Sequence, residues 1–201
     1  MKTMWNEKFS RDGYLFGTNP NSYIAKNSIL LKSKSEVLCL GEGEGRNALF
    51  LAKNDFNVTA IDASDVGLQK AKELASKHNC SIQTEQLDLN YWEPKENSYD
   101  AIVSSYLHLE EPLRSQTFKS IIYSLSLDGI FIGEFFSKEQ LNFNSGGPKN
   151  SSLLYDIDSI KSILENEKIK IIELTRELTH LNEGKGHQGE ASVVRICFQK
   201  V

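Results

Sequence analysis

Cysteine is scarce in this chain and badly spaced for chemistry. Cys39, Cys80 and Cys197 are odd in number, lie far apart and form no Cys-x-x-Cys pair, so neither a disulfide framework nor a metal site is expected, and a reducing compartment fits. The 13 glycines and 4 prolines are too few for a disordered or fibrous chain. No apolar run approaches the roughly 18 residues of a membrane-spanning helix. The opening Met1-Lys-Thr-Met-Trp-Asn-Glu-Lys8 has no apolar segment after its first charge, so a cytoplasmic protein without a membrane partner is expected. An excess of positive charge is missing too. The 23 Lys and Arg against 27 Asp and Glu leave −4, with the basic residues scattered, so nothing tracks a phosphate backbone and nucleic acid is not an expected partner. No repeat, low-complexity block or long linker divides the 201 residues. They are read as a single domain over 1–201, with 1–30 an N-terminal lid and first helix and 31–201 the core, as a monomer or weak dimer.

What is present is alternation. β-rich runs at Glu36–Leu40, Asn57–Ile61, Ile82–Leu87, Tyr99–Ser104 and Gly129–Phe136 are separated by helical patterning, the mark of βαβ units and a parallel sheet. The clearest helix follows Asp62: Leu68, Ala71, Leu74 and Ala75 recur at three- and four-residue steps, and Ser64 or Asp65 is placed to cap it. Leu113–Leu125, introduced by Pro112, and Ile157–Leu164 read as further helices. Ile169–Leu178 and Ala191–Phe198 are β-rich runs joined by too short a loop for a crossover helix, so they are expected to pair antiparallel. The fold class predicted is α/β: a Rossmann-like, doubly wound, seven-stranded sheet, mostly parallel, ending in an antiparallel hairpin strand.

The run Val37-Leu-Cys-Leu-Gly-Glu-Gly-Glu-Gly-Arg-Asn47 sets Gly41, Gly43 and Gly45 between a strand and a helix starting near Arg46. Glycine there lets backbone approach a ligand at the helix N-terminus, and Asp62, 21 residues after Gly41, ends the next strand where it is able to accept both ribose hydroxyls. Three such glycines also merely permit a turn; the spacing to Asp62 favours an adenosine site. Charge selects among adenosine ligands. A dinucleotide loop would carry its third glycine where Arg46 stands, and Glu42 and Glu44 within ~4–6 Å of a diphosphate would each oppose it by about 1 kcal/mol or more. A P-loop Lys-Ser or Lys-Thr is absent as well. S-adenosylmethionine, with an ammonium and a sulfonium, is compatible with an acidic loop. Glu42, between two glycines, reads as a contact to it and Glu44 as a solvated loop charge. Ala63 follows Asp62, and Ser104 ends the fourth strand. Asp88 in Gln86-Leu-Asp-Leu-Asn90 is a turn former or an acceptor for the adenine amino group, with the Leu89 backbone addressing the ring.

Strand, G-x-G-x-G, Asp62, Asp88, the strands Tyr-Asp-Ala-Ile-Val-Ser-Ser and Asp-Gly-Ile-Phe-Ile-Gly-Glu, and the final hairpin together resemble a class I S-adenosylmethionine-dependent methyltransferase. Trp-Asn-Glu-Lys-Phe9, Tyr-Leu-Phe-Gly-Thr-Asn-Pro-Asn21 and the Gly-Arg-Asn after the loop resemble, more narrowly, the small-molecule enzymes of the tellurite-resistance and thiopurine type. The resemblance implies methyl transfer from S-adenosylmethionine to a small molecule, and it covers nearly the whole chain. Two positions depart from it: Cys39 stands where many members carry Asp, and Glu42 where they carry a small residue. Function lives in the site and not the fold, so neither named activity is carried over.

Ligands of an open α/β sheet lie beyond the carboxyl ends of its strands, and that rule sorts the remaining polar residues. His108, Glu134, Phe136, the run Asn144-Ser-Gly-Gly-Pro-Lys149 with Gly147, and the run Glu183-Gly-Lys-Gly-His-Gln-Gly189 with His187 all fall there. His108, Glu134 and His187 are the candidates for acid–base work. His108 reads equally as a hydrogen-bonded structural histidine and His187 as an exposed turn residue, while Glu134 in an apolar strand either faces the site or is paired. The aromatic stretch holding Trp5, Phe9, Tyr14, Phe16 and Gly17 is expected to fold over the cofactor, with local core the competing reading. Three alternatives stay open: a non-catalytic binding module, a protein methyltransferase, and a nicotinamide oxidoreductase, the last disfavoured by Arg46 and the acidic loop. No Asn- or Asp-Pro-Pro-Tyr follows the fourth strand, and no Pro-Cys nucleophile is present, which argues against base methylation.

Overall fold

The computed structural model describes residues 2–201. In chain order it contains α1 (Lys2–Phe9), α2 (Ser22–Asn27), β1 (Glu36–Leu40), α3 (Arg46–Lys53), β2 (Asn57–Asp62), α4 (Asp65–Lys77), β3 (Gln83–Gln86), β4 (Tyr99–Ser105), α5 (Leu113–Ser124), β5 (Leu125–Phe136), α6 (Ile157–Leu164), β6 (Ile169–Glu183) and β7 (His187–Lys200). The seven strands form one sheet in the order β3-β2-β1-β4-β5-β7-β6. β1 to β5 run parallel, and β7 lies antiparallel between β5 and β6. The expected Rossmann-like architecture is therefore present. β1 has β2 on one side and β4 on the other, so the strand order reverses there and opens a crevice at their carboxyl ends.

Alternation along the central strands divides the apolar side chains between two faces. Leu38, Leu40, Ile102 and Phe131 join Phe118 of α5 and Phe198 of β7 in one layer. Val37, Cys39, Ala60 and Val103 meet Ala48 and Leu51 of α3 and Cys197 in the other. All three cysteines are free, and Cys39 is a core residue whose thiol is pushed up by burial. Helix α4 buries Leu68, Ala71, Leu74 and Ala75, and its cap Ser64 accepts from the Gly67 amide at 3.0 Å. Helix α6 is capped by Asp156, which accepts from Ser159 N at 2.8 Å.

Two boundaries differ from expectation. β5 starts at Leu125, directly after α5, and its register with β4 slips between Tyr99 and Ala101 where Asp128 takes φ 64°. The hairpin strands run on to Glu183 and from His187, leaving only residues 184–186 as the turn. β6 is an edge strand, so His180 and Asn182, alternating with the buried Leu181, face away from the core without ending the ladder, and the apolar pattern weakens before the strand ends. Among the described residues no helix is long and apolar enough to cross a membrane, and no group of His, Cys, Asp and Glu is arranged to hold a metal ion.

Candidate functional site

The glycine loop fills the crevice at β1. Gly41, Gly43 and Gly45 all have positive φ. A Cβ on Gly41 would sit 2.8 Å from Leu107, and one on Gly43 2.9 Å from Phe9, so a side chain at either position would fill the cleft. Asp62, at the end of β2, accepts from Gly43 N (2.8 Å) and Ser64 N (2.7 Å). Burial raises its carboxyl above the ordinary range, and these backbone donors partly offset the shift.

Two adjoining lobes open here, sharing Trp5, Gly41, Asp62 and Leu107. The first is apolar, walled by Ile61, Ala63, Leu87, Leu89 and Leu109, with Asp88 the one other carboxylate. Asp88 accepts from Asn90 N at 3.0 Å, which holds its carboxyl below the usual range. The second lobe is polar and aromatic: Glu42, Arg46, Ser105, Tyr106, His108 and His187 line it, with Phe9 and Phe16. The N-terminal segment thus covers both lobes. Asn6 donates to Asp65 (2.7 Å) and accepts from Ser64 Oγ (2.6 Å), seating α1, while the Phe9 ring rests where Gly43 and Gly67 lack side chains. Gly17 packs on Gly184, Gly186 on the Phe16 ring, and Gly186 N donates to Leu15 O at 2.9 Å.

The loop carboxylates divide the work. Glu42 accepts from Asn47 N and Ala48 N, each at 2.8 Å, closing the first turn of α3, and burial lifts its carboxyl to about 7 against those donors. It lines the polar lobe. Glu44 is not solvated. It is buried, pairs with Lys70 Nζ at 2.8 Å and accepts from Leu15 N at 2.7 Å, while Lys70 also donates to the carbonyls of Arg11 and Gly13. It therefore latches the covering segment to α4.

In the polar lobe, Arg46 pairs with Glu183, its Nη2 donating to Oε2 at 3.1 Å; Nη1 lies 3.1 Å from Oε1 but out of line for a hydrogen bond. His187 Nδ1 is 2.9 Å from Glu183 Oε2. The imidazole packs against Phe16 (4.4 Å), Tyr106 (4.5 Å) and Phe136 (5.1 Å), and is buried where an exposed turn residue was the alternative. Burial lowers its pKa, with Glu183 opposing. Glu183 shows the reverse balance: burial acts to raise it, but His187 and Arg46 hold it below the ordinary carboxylate range. His108 is pushed down to about 3 by burial, then by His187 and Lys8, so it is neutral at physiological pH, and its Nδ1 is buried without a partner.

Several expected site residues stand elsewhere. Glu134 does not line the cleft: it is buried beneath the lobe, accepting from Asn21 Nδ2 (2.7 Å), Tyr106 OH (2.8 Å) and Arg195 Nε (2.8 Å). Ser104 Oγ donates to Leu40 O at 3.0 Å, tying β4 to β1, so its neighbour Ser105 is the one that faces the lobe. Phe136 is fully buried behind the histidines, and Gly147, at φ 82°, backs onto the Phe136 ring. Tyr14 lies beside Lys70 outside the cleft, and Gly17 supports the hairpin turn. Tyr106 escapes the sequence reading, and Glu183 and Asn21 stand in it only as the ends of runs, with no role of their own. Tyr106, at φ 53°, and Glu183 become site residues through contacts distant in sequence; Asn21, whose Oδ1 caps α2, links that helix to Glu134.

Residues 37–129 match the model of a methyltransferase domain. Among the relatives is the probable S-adenosyl-L-methionine-dependent methyltransferase TehB of Haemophilus influenzae, 36% identical over 77 residues. That stretch is 38% of this chain and 27% of TehB. The release factor glutamine methyltransferase of Streptococcus pneumoniae is 36% identical over 96 residues, 47% of this chain and 34% of the relative. The matches thus span about a third or less of these relatives. The crystal structure of Haemophilus influenzae TehB superimposes with a TM-score of 0.73 over all of this chain and 67% of that one, at 19% identity. A structure solved in work on converting a disulfide bond into a thioacetal group during echinomycin biosynthesis has a TM-score of 0.75 at 16% identity, covering 100% and 91%. Both likenesses speak to the fold alone.

The residues present fit S-adenosylmethionine. Gly41 and Gly43 bring bare backbone to the cleft, Asp62 stands where the lobes meet, and Arg46, whose buried Nη1 has no hydrogen-bond partner, lines the polar lobe.

Proposed function

We propose that this protein transfers a methyl group from S-adenosylmethionine to a small-molecule acceptor. One observation carries the reading: an apolar lobe and a polar lobe meet at Asp62, and Trp5, Phe9 and Phe16 roof the cleft. The cofactor supplies a methyl group on a positively charged sulfur. Asp62 holds the ribose hydroxyls. Ala63 and Leu89 flank the adenine with Leu87, and Asp88 takes its amino group. In the polar lobe Glu42 accepts from the ammonium, while Arg46 Nη1 donates to the carboxylate, satisfying a buried donor that is costly to leave unmade. The aromatic roof excludes water and fixes the approach of an acceptor, which is the main demand of a displacement reaction.

A cytoplasmic enzyme with a small-molecule substrate fits the roofed site better than a protein methyltransferase does. The Streptococcus pneumoniae relative is named for a protein glutamine, but a polypeptide chain would need an open edge where Trp5 and Phe16 lie. Calorimetry with S-adenosylmethionine and its demethylated product tests the reading, with binding of both expected. No heat at millimolar concentration would end it. Binding with no turnover on any acceptor would favour the non-catalytic module.

A further inference from the structure

The charges in and around the polar lobe are paired. Within it Arg46 is set against Glu183, and beyond its walls Arg195 is set against Glu134 and Lys70 against Glu44. Glu42 is engaged by two backbone amides, and the cofactor's methionine head, in the reading proposed above, takes what remains of Glu42 and Arg46. No uncommitted charge is left for an oxyanion or an ammonium. Flat walls remain instead: Phe16, Tyr106, His108 and His187, with Phe136 behind them.

His187 differs from the other groups in the lobe. Its Nδ1 faces the Glu183 carboxylate at 2.9 Å, which selects the tautomer with hydrogen on Nδ1 and leaves a lone pair on Nε2. Among the described residues nothing hydrogen-bonds that Nε2. The ring also needs a glycine beside it, because a Cβ on Gly146 would stand 2.5 Å from its Cδ2. We infer that the methyl acceptor is an uncharged, flat-bodied molecule whose nucleophilic atom bears a hydrogen, and that His187 Nε2 receives that hydrogen. The inference rests on the methyltransferase reading and adds the acceptor's class to it.

The step balances. A lone pair on the acceptor atom forms the new bond to the methyl carbon, and the carbon–sulfur bond of the donor substrate breaks with its electron pair staying on sulfur. The acceptor's hydrogen passes as a proton to Nε2, and the electrons of its former bond stay on the acceptor. The positive charge thereby leaves the sulfur and appears on the imidazole beside Glu183, so the net charge of the covered lobe does not change. In a site shielded from water this avoids creating an unpaired charge, which is expensive. His108, neutral and with its buried Nδ1 unpartnered, lines the same lobe.

The charged and titratable groups facing His187 are Glu183 of β6, Arg46 of α3, Glu134 of β5, and Tyr106 and His108 from the segment after β4. Burial and Arg46 keep the ring deprotonated at neutral pH against the pull of both carboxylates.

Two experiments test this. The first needs no turnover: with the demethylated cofactor bound, phenol, benzoate and benzylammonium are titrated as probes of one size and three charges. Phenol is expected to bind about tenfold more tightly than either ion, since an unpaired ion must shed its hydration. Equal or tighter binding of an ion, or no binding of phenol at millimolar concentration, overturns the inference. The second follows kcat/KM against pH with phenol and with phenylmethanethiol, both protonated at neutral pH, which separates O–H from S–H acceptors. The wild type should be flat from neutral to mildly alkaline pH. His187→Gln should lose about 100-fold at neutral pH with the better acceptor and regain rate as the acceptor ionises by itself, and Glu183→Gln, a milder change, should shift in the same direction. A His187→Gln profile that keeps the wild-type rate and shape overturns the inference, as does turnover confined to charged acceptors or absent with both probes. Failure of the demethylated cofactor to bind would instead strike the reading in the preceding subsection.

Discussion

The two lobes of the cleft are built over different distances of chain. The apolar lobe is built around the ends of β2 and β3, in two stretches, 61–63 and 87–89, that each read as a strand turning into a loop, with Trp5, Gly41, Leu107 and Leu109 completing its walls. The polar lobe draws Phe16 from the N-terminal segment, Glu42 and Arg46 from the glycine loop, Tyr106 and His108 from the turn after β4, and His187 from the hairpin. The first lobe is stabilised largely by local turn chemistry, with Asp62 and Asp88 each accepting from an amide two residues away, and Asp62 also from Gly43 N of the glycine loop. The second depends on pairs such as Arg46 with Glu183, 137 residues apart. Residues close in sequence thus govern the proposed nucleoside end, and long-range packing governs the proposed reacting end.

The widest break is expected at the loop the lobes share. Gly45 has φ 91° and a Cβ there would stand 2.5 Å from that of Ala71, so Gly45→Ala should cost about 2–4 kcal/mol and lower Tm by about 5–15 °C in a thermal melt. An unchanged Tm would show that the α3–α4 contact is looser than described.

The next effect separates the lobes by pH. The Glu42 carboxyl, lifted to about 7 from 4.5 by burial, holds a proton in the fold that the unfolded chain has already released. Its contribution to stability therefore falls as pH rises from about 4.5 to about 7. His108 and His187, both lowered, act with the opposite sign below pH 6.5, so the wild type shows a muted slope. Subtracting the Glu42→Gln melting series from the wild-type series should isolate a difference of about 2–3 kcal/mol across that window. A flat difference would mean that Glu42 stays ionised in the unliganded protein.

Asp62→Ala should weaken binding of the demethylated cofactor by about 1–3 kcal/mol in calorimetry, through lost charge-assisted hydrogen bonds to ribose. An unchanged Kd would remove Asp62 from the nucleoside lobe. Smaller still is the roof: Lys70→Met frees Glu44 and two carbonyls of the covering segment, with an expected cost of about 1–2 kcal/mol. Hydrogen exchange at the Leu15 amide, which donates to Glu44, should accelerate, and exchange as slow as in the wild type would contradict the latch. Asp88→Asn, in a half-exposed turn, should change cofactor affinity by only about 0.5 kcal/mol, and a loss as large as that at Asp62 would invert the ranking of the two carboxylates.

Much of the fold was legible because burial on both faces of a parallel sheet leaves continuous apolar runs such as Val37–Leu40, and because α4 shows its buried stripe openly. The edges were harder to read. β6 extends past Leu178 because edge strands tolerate polar residues, and β5 begins early because a positive-φ turn at Asp128 lets pairing resume after a slip. In the site, Gly41, Glu42, Gly43 and Asp62 announced themselves by type and spacing. Glu134 and Ser104 misled, since an acidic or hydroxyl residue near a strand end is equally suited to pairing below the cleft. Which side of a strand faces the crevice depends on a one-residue register, as Ser104 and Ser105 show.

The order of residues alone determined the alternation of strands and helices, the glycine turn at the start of α3 and the acidic character that disfavours a diphosphate there, because each depends on side-chain periodicity, backbone freedom or charge within a few residues. Only the tertiary structure decided that Glu44 is a latch, that Glu134 supports Tyr106, and that His187 stands against Glu183 inside an aromatic enclosure. Those roles rest on solvent exclusion and on partners tens to more than a hundred residues away, and neither exists until the sheet has closed and the N-terminal segment has folded over its edge.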